Sequence, residues 1–192
     1  RLFLPPVLVT LVGGVVFYVL IVELSFRLDD IGVTSPATIG GASVLSSLAT
    51  AIMAFAFGRV ARFGPAVLVP VAFVLCGTGH IGMGLAGTLP LVVVAAVVAG
   101  LGNGLILPAL LTWALSRLSF AQRGRGTGVW TSALFIGQFV CPLVVLGIAL
   151  IVWAIVLMIM ALVGHRRKRL LLDELFAATL ALGLALLVGK LS

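Results

Sequence analysis

Few side chains in this chain can take part in acid–base or ionic chemistry, and most of the charged ones lie between long apolar segments, not within them. Glu23 and His80 each lie within such a segment, and Asn103 and Gln138 lie within two later ones. If the segments cross a membrane, an ionisable residue inside one is costly and by default marks function. Arg27 follows Glu23 by four residues, so the two also fit an ion pair on one helix. Both hypotheses stand for Glu23 and Arg27: proton coupling or gating, and a structural pair.

Motifs for enzymatic or metal chemistry are missing from the sequence. There is no HExxH motif, no pair of acids within an apolar segment and no cysteine–histidine cluster. Cys76 and Cys141 both lie in apolar segments, where they are expected to be small buried hydrophobic residues and not a disulfide. We therefore expect no enzyme activity, no metal and no cofactor.

The elements that must position these residues follow from composition. Hydrophobic residues make up 62% of the 192 residues and charged residues only 9%. Each long apolar segment reaches the roughly 20 residues that a helix needs to cross a bilayer, and none alternates as a membrane strand would. These segments are Leu2–Phe26, Ala37–Phe57, Ala66–Gly87, Leu89–Leu115 and Gly126–Gly164. The sequence predicts an all-α fold, a polytopic helical membrane protein whose environment is the lipid bilayer.

The net charge of +7 comes from cations at the segment ends. Counted over the short loops, with Arg1 included, ten lysines and arginines fall on one predicted side of the membrane and one, Arg27, on the other. By the positive-inside rule the cation-rich side, with residues 58–65, 117–125 and 165–169, is cytoplasmic, and 27–36 and 87–90 lie outside. So little surface remains outside the membrane that we expect no nucleic-acid partner.

The last long segment, 126–164, is too long for one span and has basic clusters at both ends. We therefore predict two helices with a turn between Gly147 and Ile151. Either the turn is very tight, or an external loop is missing there, which is the interpretation that we favour because no turn residue marks the position. Residues 1–169 would then form a six-helix bundle, and 170–192 an additional hydrophobic helix that spans the membrane or lies on its surface.

Three stretches resemble the major facilitator superfamily. Gly58-Arg59-Val60-Ala61-Arg62-Phe63-Gly64 is similar to the G-x-x-x-D-R-x-G-R loop, in the degenerate form expected between helices eight and nine. Gly100-Leu101-Gly102-Asn103-Gly104 with Pro108 resembles helix ten. Arg123-Gly124-Arg125-Gly126-Thr127-Gly128 with Gly137 and Pro142 resembles the following loop and helix eleven. The closest resemblance is to the drug:proton antiporter branch.

This resemblance implies a six-helix transporter half, helices seven to twelve, plus one extra C-terminal helix. It also implies an N-terminal six-helix half as a partner. The expected function is proton-coupled export of drugs or other small molecules by alternating access. The expected substrates are a lipophilic small molecule and protons. The Ala-, Gly-, Val-, Leu- and Arg-rich composition favours a bacterial inner membrane as the location. The alternatives are a structural or engineered membrane bundle without transport activity, or half of another secondary transporter.

The resemblance also assigns candidate sites, since helices seven, eight, ten and eleven would face the central cavity and helix nine, with His80, would lie outside. The alternative interpretation of Asn103 is a hydrogen-bonding link between helices. The alternative for Trp113 is an anchor at the membrane interface. A cytoplasmic gate motif is expected at Gly58, Arg59, Arg62 and Gly64, with simple topology anchoring as the alternative for the arginines. The expected substrate-binding residues are Tyr18, Asn103, Trp113, Phe135 and Gln138.

Overall fold

The computed structural model describes residues 3–163. They form five α-helices, each long and apolar enough to cross a membrane, and this part of the chain contains no strand. This confirms the all-α class and the five predicted apolar segments. Two short 3-10 turns, Ala61–Phe63 and Phe120–Gln122, lie in the loops before α3 and α5. The helices are α1 (Leu4–Asp30), α2 (Pro36–Val60), α3 (Pro65–Leu85), α4 (Leu89–Leu115) and α5 (Arg123–Val163).

Proline and glycine set the ends of the first four helices. Each of them has proline in its first turn, where the missing N–H would have no helical partner. Gly32 after α1 and Gly64 before α3 have φ angles of 82° and 73°, which residues with a side chain rarely adopt. These two glycines allow the chain to reverse direction within a few residues.

Helix α4 is the centre of the bundle and packs against α1, α2 and α3. Its glycines make this possible, because a Cβ on Gly100 or Gly104 would strike a carbonyl oxygen of α2, and one on Gly102 would strike Cys76 of α3. In lipid, close packing of small residues is a main source of helix association. The glycine-rich stretch of α4 therefore brings three helices together, and α4 continues as one helix through Pro108.

Two apolar clusters lie on either side of this glycine-rich stretch. Each cluster joins buried residues of α4 to other helices, and the band between them, at 100–104 of α4, contains Asn103. The first cluster contains Leu20, Leu24, Leu28, Ala42, Met83, Ala86, Val92, Ala95, Ala96 and Ala99. The second contains Leu68, Val69, Ala72, Leu105, Ile106, Ala109, Leu110, Ala114, Trp130 and Leu134.

Helix α5 contacts α1 through a pair of glycines. A Cβ on Gly14 would strike the carbonyl oxygen of Leu134, and a Cβ on Gly137 would strike the carbonyl oxygen of Leu11. The two backbones therefore touch, as in other small-residue helix contacts in membranes.

The predicted break in the last segment is wrong. Helix α5 runs without interruption from Arg123 to Val163, so the described residues hold five helices where six were expected. The prediction relied on length and loop charge, whereas residues 143–163 contain no proline and no polar residue to interrupt the helical hydrogen bonds. The described part of a second compact unit begins at Val144, and most of its side chains are exposed. The predictions for 165–169 and 170–192 lie outside the described residues.

The loops group at two ends of the bundle as predicted. One groove is lined by both Gly64 and Arg117, which places the α2–α3 loop beside the end of α4. Arg27, near the end of α1, donates hydrogen bonds to the carbonyls of Met83 and Ala86 at the end of α3. The grouping is thus confirmed for these loops, while their side of the membrane stays a prediction.

Candidate functional site

A row of hydroxyl groups on α2 faces α1 and α4 across a small cavity. Because 43, 46, 47 and 50 are spaced by three or four residues, they share one side of the helix. The cavity has a volume of about 190 Å³ and lies next to the buried amide of Asn103. Its lining consists of Phe17, Leu20, Ile21, Leu24, Ser43, Ser46, Ser47, Thr50 and Asn103.

Three of the four hydroxyls donate to backbone carbonyls. Ser43 donates to Ile39 at 2.9 Å and Ser46 to Ser43 at 3.0 Å. Thr50 is placed 3.0 Å from both the Ser46 carbonyl and the Gly100 carbonyl of α4. A hydroxyl whose hydrogen is used in this way keeps its oxygen lone pairs as acceptors. The row therefore offers the cavity mainly hydrogen-bond acceptors.

Asn103 connects three helices. Its Nδ2 donates to the carbonyl oxygen of Phe17 on α1 at 3.2 Å, and its Oδ1 accepts from the thiol of Cys76 on α3 at 3.3 Å. The residue is 2% exposed, so the amide needs these partners. The same amide lines the cavity and retains one N–H beyond the bond to Phe17. Asn103 thus has the position required by both of its predicted roles, the helix link and the substrate contact.

The structural pair expected between Glu23 and Arg27 does not form. The guanidinium of Arg27 instead donates to Met83 and Ala86 at 3.0 and 2.8 Å and lies 3.6 Å from Asp30. This is the one ion pair within residues 3–163. The prediction failed because spacing along α1 could not show that carbonyl oxygens at the end of α3 lie within reach of Arg27. Glu23 is half-buried on α1.

His80 lies half-buried on α3, the helix that the resemblance places outside the central cavity. Nδ1 of His80 is 2.6 Å from the carbonyl oxygen of Cys76, so this nitrogen carries the hydrogen. Nε2 is buried, and no hydrogen-bond partner for it is found within the described part of the chain.

The other predicted substrate-binding residues lie outside this cavity. Trp113 lines a separate groove near Gly64 and Arg117. Tyr18 and Gln138 are half-buried and Phe135 is 61% exposed, and none of the three lines the cavity or the groove. Of the five residues, the structure brings only Asn103 to the cavity.

The predicted gate motif lies at one end of the bundle. Gly58 and Arg59 belong to the last turn of α2, and Arg62 lies in the 3-10 turn with its guanidinium 5.0 Å from the centre of the Phe63 ring. Within residues 3–163 neither arginine has an ion-pair partner. Gly64 supplies the positive φ that starts α3.

Sequence reasoning missed the hydroxyl row. Its signal was present, since the three serines and the threonine recur at helical spacing in a segment otherwise rich in Ala, Leu and Phe. Among the described residues, no group of three or more His, Cys, Asp or Glu side chains is placed to hold a metal ion.

Comparison with known families identifies the bundle. A family model described as Major Facilitator Superfamily matches residues 7–164, which is most of the chain. The chain belongs to the major facilitator superfamily. No curated protein and no solved structure matches it.

This membership makes the chain an integral membrane protein with a secondary transport function. Members of the superfamily are in general not enzymes. The apolar helices α1 to α5 require a lipid bilayer around them.

Proposed function

We propose that this chain is the C-terminal half of a proton-coupled exporter of the drug:proton antiporter type, and that the cavity beside Asn103 is part of its substrate path. The observation that carries the proposal is the meeting of α1, α2 and α4 around uncharged polar groups within the membrane-spanning region. Polar groups are costly there, and a water-filled or substrate-filled cavity is where they are tolerated.

The lining indicates which substrates fit. Since Ser43, Ser46 and Thr50 already donate their hydroxyl hydrogens to carbonyls, they can receive hydrogen bonds from a substrate. Phe17 and Leu20 supply apolar surface on the opposite wall. We infer that the substrate is a lipophilic molecule that carries N–H or O–H donors, such as an aromatic amine that is also a cation.

Glu23 is the proposed proton-coupling residue. It is the one acid of residues 3–163 that lies well inside a helix, since Asp29 and Asp30 end α1. Arg27 does not neutralise it through an ion pair, because its guanidinium is engaged by α3 and Asp30. A carboxylate left without such a pair can gain and lose a proton as the bundle moves.

Alternating access needs a second bundle against which this one rocks. We propose that this partner is the N-terminal six-helix half of the same transporter and that the assembly lies in a bacterial inner membrane. The resemblance of 58–64 and 123–128 to loops in the second half of major facilitator transporters supports the N-terminal partner, and the Ala-, Gly-, Val-, Leu- and Arg-rich composition supports the bacterial membrane.

The test uses the full-length transporter in proteoliposomes with an imposed pH gradient. Ethidium is the donor-bearing probe, because its ring carries amino groups, and tetraphenylphosphonium is the probe without donors. Ser43→Ala should raise the apparent KM for ethidium about fivefold, the loss of one hydrogen bond, without changing that for tetraphenylphosphonium.

Ser25→Ala is the matched control, because Ser25 is exposed on α1 and does not line the cavity. Gradient-driven movement of either probe supports the transporter proposal. No movement of any lipophilic cation would favour the non-transporting bundle. Equal effects of Ser43→Ala on both probes would contradict the assignment of donor-bearing substrates.

A further inference from the structure

A second, larger groove lies at the other end of the bundle, where the loop between α2 and α3 meets the end of α4. Its volume is about 670 Å³, and the transport proposal does not use it. Three helices contribute to it: α1 through Val9, the start of α3 through Ala66 and Pro70, and the last turn of α4 with the residues that follow.

The groove has an apolar wall and one basic end. Val9, Ala66 and Val69 offer hydrocarbon surface, and Trp113 and Arg117 lie at the end of α4. The hydroxyl of Ser116 donates to the Trp113 carbonyl at 2.8 Å, so its hydrogen is already used. Arg117 is exposed and is therefore the cationic donor that the groove presents.

Charge at this end of the bundle is unbalanced within the described residues. The acids of residues 3–163 are Glu23, Asp29 and Asp30, all in the last part of α1, and the one ion pair there joins Arg27 to Asp30. The arginines in the α2–α3 and α4–α5 regions thus have no carboxylate partner in the described chain. These arginines are Arg59, Arg62, Arg117, Arg123 and Arg125.

We propose that the groove binds an anionic phospholipid, with the phosphate on Arg117 and an acyl chain along the wall formed by Val9, Ala66 and Val69. Arginine presents a planar set of donors that fits a phosphate, and a tryptophan at a span end sits at headgroup level. Basic pockets between membrane helices on the cytoplasmic side bind anionic headgroups in this way. The apolar wall favours a lipid over free phosphate, which has nothing to place against hydrocarbon. This site is independent of the transport proposal.

Photo-crosslinking of the full-length protein in vesicles tests the site. Benzoylphenylalanine replaces Ala66, which lines the groove and is exposed, in vesicles with phosphatidylglycerol as a minor component of phosphatidylcholine. Mass spectrometry of the adducts should show phosphatidylglycerol enriched about fivefold over its share of the vesicle, the preference that one basic residue gives near an anionic headgroup. Arg117→Gln should return the ratio to that of the vesicle.

Two matched controls make the outcome decisive. The photoreactive residue at neighbouring Val67, which is 51% exposed and outside the groove, should report the bulk lipid ratio. Arg125→Gln removes another exposed arginine of the same region and should leave the enrichment at position 66 unchanged. Melting temperatures of the variants should match that of the parent protein.

Several results would overturn the proposal. One is equal enrichment at positions 66 and 67, which would show general attraction of anionic lipid to this end. Another is enrichment that survives Arg117→Gln. Adducts from position 66 to a peptide of residues 164–192, or to a second protein, would show another occupant. Competition by inorganic phosphate alone would identify a free-anion site.

Discussion

The thiol of Cys76 on α3 lies 3.3 Å from Oδ1 of Asn103 on α4, and the same amide donates through Nδ2 to the carbonyl oxygen of Phe17 on α1. One buried amide thereby links the central helix to two neighbours. The link lies between the two apolar clusters, where glycines bring the backbones closest together.

Asn103→Leu should destabilise the bundle by about 1 kcal/mol, because it removes two interhelical hydrogen bonds of modest strength in a membrane. Cys76→Ser keeps a donor toward the amide and should stay close to the parent, whereas Cys76→Ala should fall between the two. Reversible unfolding in mixed micelles measures the free energies. If all three variants unfold with the same free energy as the parent protein, the hydrogen bonds of Asn103 contribute nothing to stability.

Gly104→Ala should cost about 1–3 kcal/mol, because the new methyl group would strike the carbonyl oxygen of Thr50 on α2. Gly77→Ala is the matched control, since a Cβ on this α3 glycine meets no atom within 4 Å. The thermal melting of the two variants in detergent compares them directly. A Gly104→Ala protein as stable as Gly77→Ala would disprove the close approach of α2 and α4.

Arg27→Gln should destabilise the bundle by about 1–2 kcal/mol, because the guanidinium satisfies two carbonyls at the end of α3. Arg27→Lys should recover only part of this loss, since an ammonium lacks the planar fork that reaches both oxygens. Arg59→Gln, an arginine without an ion-pair partner within residues 3–163, serves as the control. Equal losses for Arg27→Gln and Arg59→Gln would contradict the capping role.

Glu23→Gln should abolish gradient-driven transport while substrate binding survives, because the amide cannot carry a proton. The melting temperature should stay near that of the parent, since Arg27 is held by α3 and not by Glu23. Asp29→Asn, an exposed acid at the end of the same helix, should leave coupling intact. A destabilised Glu23→Gln protein with unchanged coupling would restore the structural interpretation.

Thr50→Val should weaken substrate affinity and also lower stability, because the hydroxyl both lines the cavity and reaches the Gly100 carbonyl of α4. Thr78→Val removes the same group from an exposed position on α3, where it bonds only to its own helix, and should change neither quantity. Binding titration and unfolding of both variants separate the two effects. If Thr50→Val and Thr78→Val have the same substrate affinity and the same stability, the position of the cavity is contradicted.

Most of the fold could be predicted because membrane helices obey local rules. Apolar length sets each span, the arginines separate the two ends, and proline with Gly32 and Gly64 sets the turns. The same rules gave a wrong prediction at 147–151, where the length of the segment and the charges at its ends predicted a turn. Without a residue to interrupt it, the backbone there keeps its helical hydrogen bonds, and α5 continues to Val163.

The sequence alone determined that Asn103 needs hydrogen-bond partners, that Glu23 is isolated among apolar residues, and that glycines on α4 permit close packing. Only the tertiary structure decided which groups are the hydrogen-bond partners of Asn103 and Arg27. Contacts between helices join residues far apart in the chain, so spacing along α1 favoured Glu23 as the partner of Arg27, although Met83 and Ala86 were the ones within reach. For the same reason the α2 hydroxyls became part of a site only when α1 and α4 packed against them.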